Sequence, residues 1–177
     1  MGKQHKTLTS DDISFINKQK MFYIASCSNA EVNLSPKGYD CIKVLNKNEI
    51  LFMSYPGSAN RTYRDSQNDG EFTLVFNDFE SHNGKILRIF CKADAICKEL
   101  DEFTTYSKLF GINEKVIRNF FVFKIYAIEI SCGDSVPIME FKKERKFIKN
   151  WAKSMNEKDK LEEYKEKHFI PVDLHNI

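Results

Sequence analysis

The chain has 177 residues, enough for one domain with a sizeable core. Apolar residues make up 42% and charged residues 29%, the balance of an ordinary globular protein. A formal net charge of +2 gives no basis for a nucleic-acid partner, and the C-terminal lysines alternate with glutamates. No apolar run approaches the roughly 18 residues that span a bilayer, and the polar stretch from Met1 to Asp12 has no signal-peptide core. A cytoplasmic chain with no membrane partner is the expectation. Cysteines stand at 27, 41, 91, 97 and 132 without a Cys-x-x-Cys pair, which points to reduced, buried thiols and away from a structural zinc.

Thr9-Ser10-Asp11-Asp12 opens a short amphipathic helix carrying Ile13 and Ile16. Met21–Ser26 reads as a first strand, Glu31–Ser35 as a second and Asp40–Leu45 as a third. Asn46-Lys47-Asn48 is a hairpin turn before the strand Glu49–Tyr55. After Pro56-Gly57-Ser58 a short helix is expected over Asn60–Ser66, closed by Asn68-Asp69-Gly70. Glu71–Phe76 is strongly β. In Lys85–Ala95, residues Leu87, Ile89, Cys91, Ala93 and Ala95 fall on one face at period two. Glu99–Phe110 and Glu114–Arg118 read as helices, and Phe120–Ile130 as a long strand. From about 140 to 167 the pattern is helical and charged, with Phe141, Ile148, Trp151 and Met155 forming an apolar stripe.

Short strands in close succession with few helices argue for a mainly β chain with peripheral helices, an α+β antiparallel barrel in one domain with a helical C-terminal extension. Hairpin spacing does not suit a doubly wound sheet, and no Gly-x-Gly-x-x-Gly follows a strand.

Three segments could carry chemistry. Ser58-Ala59-Asn60-Arg61-Thr62 lies at a helix start, where free N–H groups and an Arg fork suit an anion. Taken alone, an ordinary helix cap with a solvent-facing Arg61 is the simpler reading. In Asn33-Leu34-Ser35-Pro36-Lys37-Gly38, period two puts Asn33, Ser35 and Lys37 on one side, either facing a ligand or forming an exposed strand edge. Ser131-Cys-Gly-Asp-Ser-Val-Pro137 follows the last long strand; Cys132 has no nameable catalytic partner and reads as a structural thiol. The histidines at 5, 82, 168 and 175 form no metal or triad motif.

In order, Asn33-Leu-Ser-Pro-Lys-Gly38, Leu51-Phe-Met-Ser54 and Gly57-Ser-Ala-Asn-Arg-Thr62 resemble the flavin-binding half of the pyridoxamine 5′-phosphate oxidase-like proteins. Lys85-Ile-Leu-Arg-Ile-Phe90 resembles their later barrel strand. Ser131-Cys-Gly133, Val136-Pro137, Trp151 and Tyr164–Lys167 resemble the tail of one bacterial subgroup. The resemblance implies a split β-barrel that binds FMN as a homodimer, with two FMN sites at the subunit interface. It implies that Ser58 and Arg61, supported by Asn60 and Thr62, hold the FMN phosphate. Asn33, Ser35 and Lys37 would lie along the flavin or its ribityl chain, and residues 131–137 would close over the ring from the other subunit.

The implied function is an FMN-dependent oxidoreductase acting on a small-molecule substrate or reductant, with no catalytic residue assigned. A non-catalytic FMN-binding or storage module and a haem-handling split barrel remain alternatives. The chain departs from the true oxidases in three motifs. Their Arg-x-x-Leu-Leu-Lys is met only by Lys43-Val-Leu-Asn46, their helix-start Ser-Arg-Lys by Asn60-Arg61-Thr62, and their C-terminal substrate motif has no counterpart in Pro171–His175. Pyridoxamine phosphate is therefore not carried over as the substrate.

Overall fold

The computed structural model describes residues 2–29 and 31–176. Eight strands form one curled antiparallel sheet: β1 (Lys3–His5), β2 (Met21–Cys27), β3 (Asn33–Gly38), β4 (Ile42–Asn46), β5 (Glu49–Ser54), β6 (Glu71–Asn77), β7 (Lys85–Ile96) and β8 (Asn119–Cys132). Their order is β3-β2-β6-β7-β8-β5-β4, so β3 and β4 lie at the two ends of the path. β1 adds to the C-terminal half of β8, pairing Lys3 with Ile130. Among the described residues five α-helices lie around the sheet, α1 (Ser10–Lys18), α2 (Arg61–Gln67), α3 (Asp101–Phe110), α4 (Phe147–Glu157) and α5 (Leu161–Lys167), with short 3-10 turns at Glu114–Val116 and Leu174–Asn176. The expected mainly β split barrel is the fold observed.

The interior is built from alternating aromatics. Leu87, Ile89 and Cys91 of β7 are fully buried, as their period-two pattern requires. Phe22 stacks on Phe76 at 5.3 Å between centroids, and Phe52 stacks on Phe121 at 6.0 Å. β8 is buried on both faces over its first half. Phe121 and Phe123 turn toward the aromatics of β5 and β6, while Phe120 meets Phe103, Tyr106 and Phe110 of α3. An extra residue at Tyr126 breaks the β7–β8 register, since Phe90 faces Ala127 and Cys91 faces Ile125. Such a bulge bends and twists a strand, and here it falls midway along β8.

α1 starts on a capping box: the Asp12 N–H donates to Thr9 Oγ1, and the Asp12 carboxylate accepts from the Thr9 N–H. The C-terminal extension differs from expectation. Residues 140–146 have no regular structure, and the helix begins only at Phe147. Phe141 is therefore off the apolar stripe and exposed, whereas Ala152 is fully buried. α4 and α5 clasp through Trp151 and Tyr164, and Lys165 Nζ donates to the Lys115 carbonyl at 2.7 Å.

Candidate functional site

α2 follows a loop that carries the chain away from β5, and it packs on β2 and β7. Its anchor is Asp65, which is fully buried. The carboxylate accepts from Ser26 Oγ at 2.6 Å, Ser28 Oγ at 2.8 Å, and Arg64 Nε and Nη2 at 2.9 and 2.7 Å. Gly70 closes this corner: a Cβ there would stand 2.7 Å from the Asp65 carbonyl oxygen and 2.9 Å from that of Cys27.

This anchor brings the two polar segments together. Asn33 Nδ2 donates to Ser26 Oγ at 3.0 Å and reaches Thr62 Oγ1 at 3.4 Å. Ser35 Oγ donates to Asn33 Oδ1 at 3.2 Å. Asn33, Ser35 and Thr62 thus share one network across 29 residues of sequence. Ser58 is exposed on the loop. Asn60 is buried and donates through Nδ2 to the Phe169 carbonyl at 2.9 Å, yet its Oδ1 is buried without a partner. It does not cap α2 with its side chain.

Arg61 is not solvent-facing. Its Nε donates to Glu31 Oε1 at 2.8 Å and its Nη2 to the Val172 carbonyl at 3.3 Å. Arg64 shares the same Glu31 oxygen at 2.6 Å. The two guanidinium groups hold the Glu31 carboxyl down to about 2. Two cations, Arg61 and Arg64, therefore face two carboxylates, Glu31 and Asp65. α2 itself spans only seven residues, so its dipole adds little for an anion.

Lys37 stands differently. It is part-buried, and its Nζ lies 5.9 Å from the centre of the Phe52 ring. Burial and the nearby Arg118 both push its pKa down. Arg118, just before β8, donates to the carbonyls of Gly57 at 3.1 Å and Ala59 at 3.3 Å and to Ser54 Oγ at 3.2 Å. All are neutral acceptors, and burial lowers Arg118 to about 10. Its Nε and both amide atoms of the adjacent Asn119 are buried without partners. Sequence reasoning missed Arg118, because an arginine before a strand carries no mark of what it faces.

The 131–137 segment lies at the far end of β8. Cys132 is exposed, and Ser131 Oγ accepts from Arg88 Nη1 at 2.8 Å. The Gly133 N–H donates to the Gly84 carbonyl at 2.7 Å. A Cβ on Gly84 would stand 2.7 Å from Gly133 backbone atoms, so this crossing requires glycine. A cavity of about 760 Å³ lies beside it, between α1, the turn at 78–81 and Met139–Phe141. Its lining does not include the residues at 33–37 or 58–62. Among the described residues no three His, Cys, Asp or Glu side chains cluster as a metal site. Among the described residues no helix is long and apolar enough to cross a membrane.

No family model matches the chain. It is 27% identical over 128 residues to the pyridoxamine 5′-phosphate oxidase family protein ustO of Aspergillus flavus, a match covering 70% of this chain. The chain spans about half the length of that protein, 51%. Among solved structures it is similar to a Lactobacillus delbrueckii protein described, provisionally, as a pyridoxamine 5′-phosphate oxidase. That match has a TM-score of 0.54 at 16% identity and covers 70% of this chain and 98% of the other. The FAD-binding protein of Mycobacterium smegmatis matches with a TM-score of 0.50 at 9% identity, covering 71% and 97%. With its curled antiparallel half-barrel and this sequence relative, the chain has the pyridoxamine 5′-phosphate oxidase-like split-barrel fold and is similar in sequence to a protein of that family.

Proposed function

We propose that the chain binds FMN and acts as an FMN-dependent oxidoreductase on a small-molecule substrate. The observation that carries this reading is the convergence of two distant segments, in which Asn33 and Ser35 of β3 share a hydrogen-bond network with Thr62 of α2. The donor set fits FMN. Neutral hydroxyl and amide groups suit the ribityl hydroxyls, and the cations beside the 57–59 loop suit its phosphate. When bound, the flavin supplies the redox chemistry. The chain's own residues fix the anionic end, order the polar chain through Asn33, Ser35 and Thr62, and exclude water on the barrel side.

A homodimer is part of the same reading. Residues 131–137 follow β8 and, among the described residues, share no hydrogen bond with the Asn33–Thr62 network. In the proposed shared site that loop closes over the flavin from the second copy.

The visible spectrum of the purified protein tests the reading. A flavin spectrum with FMN released on denaturation is expected, followed by bleaching with NADH or NADPH and turnover with an acceptor. A Soret band, or a colourless protein that ignores added FMN, overturns it.

A further inference from the structure

The segment after α5 lies across the residues that open α2. The Phe169 carbonyl accepts from Asn60 Nδ2 at 2.9 Å, and the Val172 carbonyl accepts from Arg61 Nη2 at 3.3 Å. The Phe169 ring rests on Tyr63 with 4.5 Å between centroids. Farther on, the His175 N–H and Asn176 Nδ2 donate back to the Asp173 carboxylate. The apolar side chains of the segment stay in solvent: Ile170 is 72% exposed, Val172 63% and Leu174 45%. A segment held by packing would bury them. This one is held, among the described residues, by two carbonyls and one ring.

The donors it occupies belong to the 58–62 segment. Arg61 keeps Glu31 through its Nε, so only its Nη2 depends on the Val172 carbonyl. Asn60 is 2% exposed, and its Oδ1 is buried without a partner. A buried amide oxygen left unpaired is costly. The Phe169 carbonyl can accept from this amide but has no proton to give it. A ligand carrying hydroxyls beside acceptor oxygens could serve both ends of the Asn60 amide, which the segment cannot.

We infer that residues 169–174 are a displaceable strap over the candidate site. A ligand rich in hydroxyl and phosphate oxygens takes the Asn60 and Arg61 donors in place of the Phe169 and Val172 carbonyls. Strap and ligand compete for the same groups, so the closed strap lowers the apparent affinity by the fraction of chain that is open. The inference rests on the flavin reading only for the ligand's name, since the ribityl and phosphate oxygens of FMN have this chemistry.

Cleavage by chymotrypsin after Phe169 needs that ring free of Tyr63, so loss of the peptide beyond residue 169, read by mass, reports the open strap. Wild type is compared in sodium chloride, in sodium phosphate at equal ionic strength, and in chloride with FMN. Each rate is normalised to that of a free peptide of residues 165–174. If FMN binds, it is expected to raise the rate about tenfold, the scale of the contacts released. An unchanged or slower rate overturns the strap and leaves the flavin reading standing. If FMN does not bind, the flavin reading fails. The strap then stands if phosphate raises the rate over chloride and falls if it does not.

Phe169→Ala loosens the strap and leaves both carbonyls in place. It should bind FMN about three- to tenfold more tightly than wild type, the scale of one aromatic pair. Equal or weaker FMN binding by the folded variant overturns the proposal. The cleavage comparison needs no variant and decides alone if Phe169→Ala does not fold.

Discussion

Glu31 accepts from Arg61 and Arg64 through a single oxygen, and this shared acceptor gives the start of α2 its charge balance. Its carboxyl sits at about 2 in the fold against an ordinary 4.5. A depressed folded-state pKa contributes stability that is complete above about pH 4.5 and is lost as the pH falls through about 2. Urea melts of wild type and Glu31→Gln should therefore differ at pH 7 and converge by pH 2; a constant offset would disprove this role. Asp65 is the more costly residue to remove. It is fully buried and takes four hydrogen bonds, so Asp65→Ala leaves Arg64, Ser26 and Ser28 without their shared acceptor. A loss of about 3–5 kcal/mol is expected from denaturant melts. The sequence marked Arg61 as a candidate by position alone. It could not show that Glu31, 30 residues away, would already hold it, since an ion pair between segments is a product of their packing.

The elements that sequence made legible are those whose pattern is enforced by a buried face. β7 alternates because one face meets the interior, and the strand appears where period two places it. β1 could not be read, because Lys3-Gln4-His5 has no apolar alternation and is a strand only through pairing with β8. Residues 140–146 misled in the opposite direction: their mixed charges suit a helix, yet no apolar seam from that stretch packs on the barrel. Two element-scale predictions follow from contacts. Gly84→Ala forces the start of β7 away from Gly133 and should cost about 1–3 kcal/mol in thermal or denaturant melts. Phe120→Ala removes the side chain on which three rings of α3 rest and should cost about 3–5 kcal/mol. Retained stability in the Phe120 variant would mean that α3 is held mainly by other contacts.

At the scale of the whole molecule, the proposed shared site requires two chains. Light scattering at micromolar concentration should give twice the chain mass; a monomer would contradict the shared-site reading.

The span of β8 carries one more consequence. It holds Arg118 at its entry and the Gly133 crossing just past its exit, and in the homodimer proposed above these two ends would serve different flavin sites. Under that proposal, a chain defective at Lys37 and a chain defective at Gly133 should each fail to bind flavin alone. Mixed and refolded together, half of the resulting pairs would be hybrids, and each hybrid gathers both faults in one site and leaves the other whole. Roughly one site in four should then recover flavin binding, a genetic complementation between two dead alleles that no single-chain site could show.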